Sequence, residues 1–323
     1  MTSARSMQIN LEATPYYHCT ARCVRHSYLC GFNKKTKQDY SHRKQWLVNK
    51  IKELSNIFSI KICAYAIMSN HYHLVLFVDQ PAALNWSDDE VQSRWAEIFP
   101  TDAKSNYNKS DKIMLWRTRL YDISWFMKCL NEYLARASNL EDKVTGKFWE
   151  SRFKSQALLD DAALLNTMAY VDLNPIRAGM AQTPEESEFT SIYERIKSST
   201  KQAHKKNKDG VNITQPNSLA PFASKELTSE SSAPSIDYSL NNYFELVDYT
   251  GRILRNDKFG SIPKVLEPIL QRIHLCPNTW IDMIKRHRNK FFHAIGGEGC
   301  LINFSKNRAR NAKGIQAARI LYS

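Results

Sequence analysis

The chain has 323 residues, and its 45 Lys and Arg outnumber its 32 Asp and Glu to give a net charge of +13. This surplus favours a polyanionic partner such as nucleic acid, although an anionic membrane surface would also suit it. No window approaches about 18 uncharged apolar residues, so a transmembrane helix is not expected. The N-terminus, MTSARSMQINLEA, lacks the apolar stretch of a signal peptide, so we expect a cytoplasmic location.

Composition changes once along the chain. Residues 199–236 are polar and rich in Ser, Lys, Asn and Pro, which is typical of a linker. We therefore predict an N-terminal domain of residues 1–198, a flexible linker of residues 199–236 and a mostly helical C-terminal domain of residues 237–323, to which the sequence assigns no role. The seven cysteines are odd in number and scattered, which favours reduced thiols over a disulfide framework.

The first half of the N-terminal domain alternates strand and helix patterns. Residues 16–29 are predicted to form a strand, and residues 41–55 have apolar side chains at helical spacing. Residues 57–68 alternate and are rich in β-branched side chains, so we predict a strand that forms a hairpin with residues 71–78. Residues 80–115 are polar, and we predict a single short helix within them.

The second half of this domain continues the mixture. Residues 122–138 place aromatic and aliphatic side chains on one helical face, and residues 146–158 are predicted to form an aromatic and basic strand. Residues 159–173 are predicted to form a helix with Asp160 or Asp161 near its N-cap. Together these elements predict an α+β fold, in which helices pack on a small antiparallel sheet.

Two histidines stand at the start of the strand predicted for residues 71–78. Because side chains alternate along a strand, His71 and His73 share one face and Tyr72 points to the other. Two neutral imidazoles on one face can chelate a divalent ion if a third ligand comes from elsewhere. Two inert, hydrogen-bonded histidines would give the same pattern, and the pattern alone favours that interpretation.

The helix predicted for residues 159–173 carries a tyrosine in a polar setting. At 100° per residue, Asn166 and Asn174 lie one turn before and one turn after Tyr170, and the opposite arc of the helix is apolar. An ordinary surface tyrosine would fit this position. So would a phenol that acts as a nucleophile in covalent catalysis, and the spacing does not choose between them.

The segment HYHLVLF resembles the HUH motif, in which a hydrophobic residue stands between two metal-binding histidines. The segment AYVDLNPIRAG, residues 169–179, follows GKFWESRFKSQALL and is similar to the tyrosine helix of single-tyrosine HUH transposases, in particular the REP-associated group. The histidines come first and the tyrosine follows about 100 residues later, as in that family. The resemblance covers roughly residues 10–198.

This resemblance implies a ferredoxin-like HUH endonuclease fold in which His71 and His73 hold Mg²⁺ or Mn²⁺, Asn174 completes the metal site and Tyr170 is the nucleophile. It implies cleavage and rejoining of single-stranded or hairpin DNA through a 5′-phosphotyrosine, by a monomer or a homodimer that works at a bacterial nucleoid. Many relatives carry Gln where this chain has Asn174. Asn174 could therefore bind the metal directly or through a bridging water.

Basic and aromatic residues interleave in the segment before the tyrosine helix. Lys147, Arg152 and Lys154 offer charges for phosphates, and Trp149 offers a ring for base stacking, a combination that suits single strands. A core strand with a basic outer edge would show the same sequence pattern. Arg177, which follows the helix, is a further candidate phosphate contact, although it could simply belong to a turn.

Two other functions are compatible with these residues. A noncatalytic DNA-binding regulator on the same scaffold would bind DNA without needing Tyr170. A metal phosphoesterase that uses water as the nucleophile would cleave DNA without a protein–DNA adduct. The intact set of His71, His73, Tyr170 and Asn174 favours the transposase over both alternatives.

Overall fold

The structure is a computed structural model. It describes seven parts of the chain, which are residues 8–24, 30–33, 37–103, 109–203, 215–223, 235–254 and 294–306. These parts form a five-stranded, mostly antiparallel sheet with packed helices, which confirms the predicted α+β class. No helix in these ranges is long and apolar enough to cross a membrane.

Seven strands follow one another along the described chain. They are β1 (Tyr16–Arg22), β2 (Phe32–Asn33), β3 (Gln38–Asp39), β4 (Ile60–Ile67), β5 (His71–Val78), β6 (Lys154–Leu158) and β7 (Ala294–Ile295). The main sheet has the order β4-β5-β1-β6-β7, and β2 pairs with β3 in a separate hairpin. Neighbours in the main sheet are antiparallel except β6 and β7. The predicted hairpin of β4 and β5 is confirmed, and the Met68 N–H donates to the His71 carbonyl at 2.9 Å to close its turn.

Eleven α-helices occur in the described residues. They are α1 (Arg43–Ile57), α2 (Gln80–Asn85), α3 (Asp88–Ile98), α4 (Pro100–Ala103), α5 (Lys109–Leu120), α6 (Ile123–Glu141), α7 (Asp161–Asp172), α8 (Asn174–Arg177), α9 (Ser191–Ala203), α10 (Leu240–Leu254) and α11 (Glu298–Lys306). The predicted strand over residues 146–158 is confirmed only for β6. The helices predicted over residues 41–55, 122–138 and 159–173 correspond to α1, α6 and α7.

The prediction of a single short helix in residues 80–115 was wrong, because α2 to α5 occupy most of this region. Although residues 80–115 are mostly polar, their helices share a small apolar core. The stacked rings of Trp95 and Trp116 lie 5.8 Å apart, and both indole N–H groups donate to the carboxylate of Asp102. The Asp102 carboxylate thus satisfies the indole donors of two buried tryptophans.

Helices cover both faces of the sheet. On one face α1 packs against β4 and α6, and Tyr72 of β5 donates to Asn131 of α6 at 2.7 Å. On the other face α7 packs against β4, β5 and β6, and α10 covers the outer side of α7. Helix α7 is therefore buried along its length, from Ala162 to Asp172. Because α7 packs directly against the sheet, side chains on its inner side face the strands.

The described residues beyond 198 lie on the N-terminal body. Within the predicted linker, the Ala220 N–H donates to the Ile62 carbonyl at 2.8 Å, and Phe222 belongs to the main hydrophobic core. Residues of α10, β7 and α11 belong to that same core. The division into domains stays a prediction. Residues 255–293 and 307–323 of the predicted helical C-terminal domain lie outside the described residues.

Candidate active site

The two histidines of the HxH pattern share the face of β5 that is opposite to Tyr72. Their ring centroids are 4.9 Å apart and the ring planes meet at 74°. His73 is buried and His71 is half-buried. The Nδ1 atom of His71 lies 2.6 Å from Oδ1 of Asn70, which fixes one side of that ring. Strand alternation thus brings both imidazoles together, as the sequence pattern indicated.

A third histidine, which the sequence analysis did not single out, lies beside this pair. His18 is on β1, where its Nε2 atom is 2.9 Å from Nδ1 of His73. Its other nitrogen, Nδ1, is 2.9 Å from Oε1 of Gln156 on β6. The rings of His18 and His73 lie edge to edge in nearly one plane, with centroids 5.2 Å apart and planes 10° from parallel. Burial lowers the pKa of His18 to about 4, an effect that its hydrogen bond with Gln156 partly opposes.

No local signal marks His18 or Gln156 as partners of His73. The contacts arise because β1 lies between β5 and β6 in the sheet, and residues facing one another across strands share a face. The register pairs His18 with Gln156 on one side and with Val75 on the other. His73 is two residues before Val75 and therefore lies on the same face, diagonally opposite His18. The periodicity of a single sequence does not give the order of strands in a sheet. His18 and Gln156 can therefore be assigned to the site only from the fold.

Helix α7 places the Tyr170 ring against both His18 and His73. The Tyr170 ring meets the His73 ring nearly edge-on, at 5.8 Å between centroids and 85° between planes. It meets the His18 ring in the same way at 6.2 Å and 77°. Only 6 % of Tyr170 is exposed. The predicted N-cap of this helix is confirmed at Asp160, whose carboxylate accepts from the Ala163 N–H at 2.7 Å.

The residues that follow α7 return to its last turn. Asn174 opens α8 and its side-chain amide donates to the Tyr170 carbonyl at 3.2 Å. The guanidinium of Arg177 lies 4.9 Å from the centroid of the Tyr170 ring, and Arg177 is exposed. Asn174 and Arg177 therefore belong to the same neighbourhood as the phenol, whereas direct ligation by Asn174 stays a prediction.

Two basic residues lie on the histidine face of the sheet. Lys154 of β6 pairs with Thr20, which in turn pairs with His73, so all three occupy one cross-strand row. Arg22, which the sequence analysis did not select, pairs with His71 in the next row. Lys154 is exposed and Arg22 is half-buried. Both cations are thus available near the histidines for an anionic ligand.

The other residues predicted to bind DNA lie elsewhere. Trp149 forms a bridge with Cys23, packs at 5.7 Å against Tyr72 and donates its indole N–H to the Asn131 carbonyl at 2.9 Å. This ring belongs to the sheet face that α6 covers, away from His71 and His73. Lys147 and Arg152 are exposed in the segment before β6. Stacking of bases on Trp149 and phosphate contacts by Lys147 and Arg152 stay predictions.

Comparison with solved structures gives a distant likeness. No protein-family model and no curated protein matches the chain. The chain is distantly similar to a solved structure described as a REP-associated tyrosine transposase bound to a REP hairpin. The two share 13% sequence identity with a TM-score of 0.39, and the match covers 69% of this chain and 100% of that one.

The donor atoms around His71 and His73 suit a divalent metal. Nδ1 of each ring faces a hydrogen-bonding partner, Asn70 or His18, so Nε2 is the atom of each ring that would coordinate an ion. Such hydrogen bonds to the second ring nitrogen are typical of metal-binding histidines. Two imidazoles combined with an amide or water oxygen form a mixed site that suits Mn²⁺ or Mg²⁺ and would also accept Zn²⁺.

Proposed function

We propose that the protein is a metal-dependent DNA transposase that cleaves and rejoins single-stranded DNA, with Tyr170 as the nucleophile. The observation that carries this proposal is the packing of the Tyr170 ring against His73, at 5.8 Å, with the guanidinium of the exposed Arg177 4.9 Å from the centroid of the same ring. A phenol, two candidate metal ligands and a cation thus converge within the reach of one phosphodiester group.

The reaction is a transesterification at phosphorus. The Tyr170 oxygen gives up its proton and attacks the phosphorus atom, while the bond from phosphorus to the 3′ oxygen breaks and that oxygen leaves as a 3′-OH after taking up a proton. The product is a 5′-phosphotyrosine. Because this link is itself a phosphodiester, attack by a 3′-OH on the same phosphorus reverses the reaction without ATP.

Side chains of this chain would hold and neutralise the reacting phosphate. A Mg²⁺ or Mn²⁺ ion at His71, His73 and Asn174 would polarise a non-bridging oxygen and stabilise charge in the transition state. Arg177 adds a positive charge beside Tyr170, which favours an approaching phosphate. Lys154 lies on the histidine face and is placed to contact a neighbouring phosphate of the same strand.

Burial of the phenol favours a flexible strand over a duplex. Tyr170 and His73 are each only 6 % exposed, so the scissile phosphate must approach them closely between α7 and the sheet. A double helix is stiff over many base pairs and would have to be deformed to enter. Single-stranded DNA beside a hairpin can bend at each nucleotide, and we infer that this is the substrate.

Covalent trapping tests the proposed nucleophile. The full chain, its Tyr170→Phe variant and a Tyr193→Phe control would be incubated with Mn²⁺ and labelled single-stranded hairpin DNA from the flanks of the gene. Tyr193 lies half-buried in α9, where its hydroxyl contacts Lys197. We expect a metal-dependent adduct on a denaturing gel for the first protein and the control, and at least a 100-fold loss for Tyr170→Phe, which lacks the attacking oxygen.

Two other results would favour the alternative functions. Tight DNA binding without any adduct in the unchanged chain would indicate a noncatalytic DNA-binding regulator. Cleavage that proceeds without an adduct and persists in Tyr170→Phe would indicate a phosphoesterase that activates water. Either outcome would overturn the proposed role of Tyr170.

A further inference from the structure

A continuous row of hydrogen-bonding side chains crosses three strands and ends at His73. Oε1 of Gln156 on β6 lies 2.9 Å from Nδ1 of His18 on β1. Nε2 of His18 lies 2.9 Å from Nδ1 of His73 on β5. His18 is 4 % exposed and His73 is 6 % exposed, so water is largely kept from this row. Both ring nitrogens of the buried His18 thus have a hydrogen-bonding partner.

The proton positions in this row follow from the chemistry of each atom. An amide oxygen only accepts, so Nδ1 of His18 must carry the hydrogen that Oε1 of Gln156 receives. Burial favours the neutral His18 ring, which leaves its Nε2 as an acceptor. Nδ1 of His73 must then be the donor across the second bond. In a neutral His73 ring, Nε2 consequently keeps its lone pair, which is the form that coordinates a metal.

We propose that His18 and Gln156 are positioning residues, which hold His73 in its Nδ1–H tautomer and thereby direct its Nε2 lone pair toward the metal. This inference rests on the proposed function, because it assigns a purpose to the tautomer only if a metal binds at His71 and His73. Neither residue needs to touch the DNA or the metal. Both act through His73, and the hydrogen bond between the two imidazoles holds their rings nearly coplanar.

Loss of the His18 acceptor would affect His73 in two ways. The ring could take the Nε2–H tautomer, which places a proton where the metal would bind, and it could turn about a side-chain torsion that has only broad preferences. Removing such outer partners of metal-binding histidines typically lowers metal affinity by about 10–100-fold. Because Tyr170 also packs against His18, a good test needs one variant that removes the acceptor and another that keeps it.

The first readout is the tautomer of each ring in the full chain without metal. The chain has nine histidines, so selective ¹⁵N labelling of histidine and long-range ¹H–¹⁵N spectra give a small set of patterns to assign. We expect both His18 and His73 to carry their hydrogen on Nδ1. In His18→Leu the His73 signal should shift toward Nε2–H. In His18→Gln, where the new amide oxygen can accept from Nδ1 of His73, it should remain as in the unchanged chain.

The second readout is Mn²⁺ affinity by isothermal titration calorimetry on the same proteins. We expect a decrease of about 10–100-fold for His18→Leu and of less than about threefold for His18→Gln. Gln156→Leu, which frees His18 to change its own tautomer, should give an intermediate decrease. A His42→Leu control removes an exposed imidazole from the start of α1, and it should bind Mn²⁺ as tightly as the unchanged chain.

The possible results separate this inference from the proposed function. If His73 carries its hydrogen on Nε2 in the unchanged chain, or if His18→Leu binds Mn²⁺ normally, the positioning role is wrong while the proposed reaction stands. If the unchanged chain binds no Mn²⁺, the metal site of the proposed function fails and this inference fails with it. If His18→Leu does not fold, Gln156→Leu still decides, because a normal Mn²⁺ affinity in that variant overturns the role of the row.

Discussion

His18 is an ionisable side chain whose surroundings oppose its charged form. It is buried among His73, Gln156 and Tyr170, and burial lowers its pKa from 6.5 to about 4. The unfolded chain therefore binds a proton at His18 below about pH 6.5, and the folded chain does not bind it until about pH 4. The stability that depends on neutral His18 is complete above about pH 6.5 and is lost as the pH falls toward 4.

The lower pKa of His18 in the folded chain predicts that the metal-free protein becomes less stable in acid. The free energy of unfolding should fall by about 3 kcal/mol between pH 7 and pH 4 through His18 alone. His18→Gln, which cannot be protonated, should show a shallower decrease over the same range. Urea unfolding at both pH values in the presence of a chelator measures the difference in slope. Equal slopes for the two proteins would show that His18 is not held neutral by the fold.

At the scale of elements, α7 is held at both ends by carboxylates that reach beyond it. Asp160 accepts from the Ala163 N–H at 2.7 Å and, through its other oxygen, from the Gly297 N–H at 2.7 Å. At the far end, Asp172 accepts from the hydroxyls of Ser191 at 2.5 Å and Tyr243 at 2.6 Å. These contacts fix the axial position of the helix, and with it the height of the tyrosine above the histidines.

The N-cap at Asp160 gives a prediction for this helix. Asp160→Ala should lower the free energy of unfolding by about 1–3 kcal/mol, because it removes a cap and leaves a second N–H without its acceptor. Asp160→Asn keeps one acceptor oxygen and should cost less. Asp161→Ala is the matched control, since its exposed side chain is the neighbour that does not cap the helix. Urea unfolding measures all three, and an equal loss for Asp161→Ala would contradict the proposed importance of the cap.

Elements with a strong period were predictable from sequence, whereas their mutual arrangement was not. Strand alternation in β5 was enough to place His71 and His73 on one face, and helical spacing was enough to define α7 and its aspartate cap. The partner of His73 was missed because His18 depends on β1 lying between β5 and β6. Helices α2 to α5 were underestimated because this region is polar in composition, and Trp95 and Trp116, which share the Asp102 carboxylate, come together only in the fold.

At the scale of the whole molecule, the described residues beyond 198 contribute to the core that supports the tyrosine helix. Arg195 of α9 is fully buried and donates to the carbonyls of Cys63 and Ala220, both at 3.0 Å. Its guanidinium lies 4.6 Å from the ring of Phe222, which in turn packs at 4.9 Å against Tyr243 of α10. Contacts therefore run from the sheet through the predicted linker region to the outer cover of α7.

A chain that ends at residue 198 should accordingly be much less stable than the full protein. It would lose the Ala220 acceptor of Arg195 and the Tyr243 hydroxyl at Asp172, and it would expose the outer side of α7 to water. Each buried polar group left without its partner costs about 1–3 kcal/mol, and the exposed apolar surface adds to that cost, so the free energy of unfolding should fall by more than about 3 kcal/mol.

Urea unfolding and covalent trapping of this fragment would measure that dependence, with Tyr243→Phe in the full chain as the matched control. The control removes one hydroxyl and keeps the ring, so it should cost about 1–3 kcal/mol and retain adduct formation. A fragment of residues 1–198 that unfolds at the same urea concentration as the full chain would establish an independent N-terminal domain. A destabilised fragment that forms no adduct would mean that the C-terminal residues belong to the scaffold of the tyrosine helix, because the reacting phenol can attack only while α7 keeps its height above the sheet.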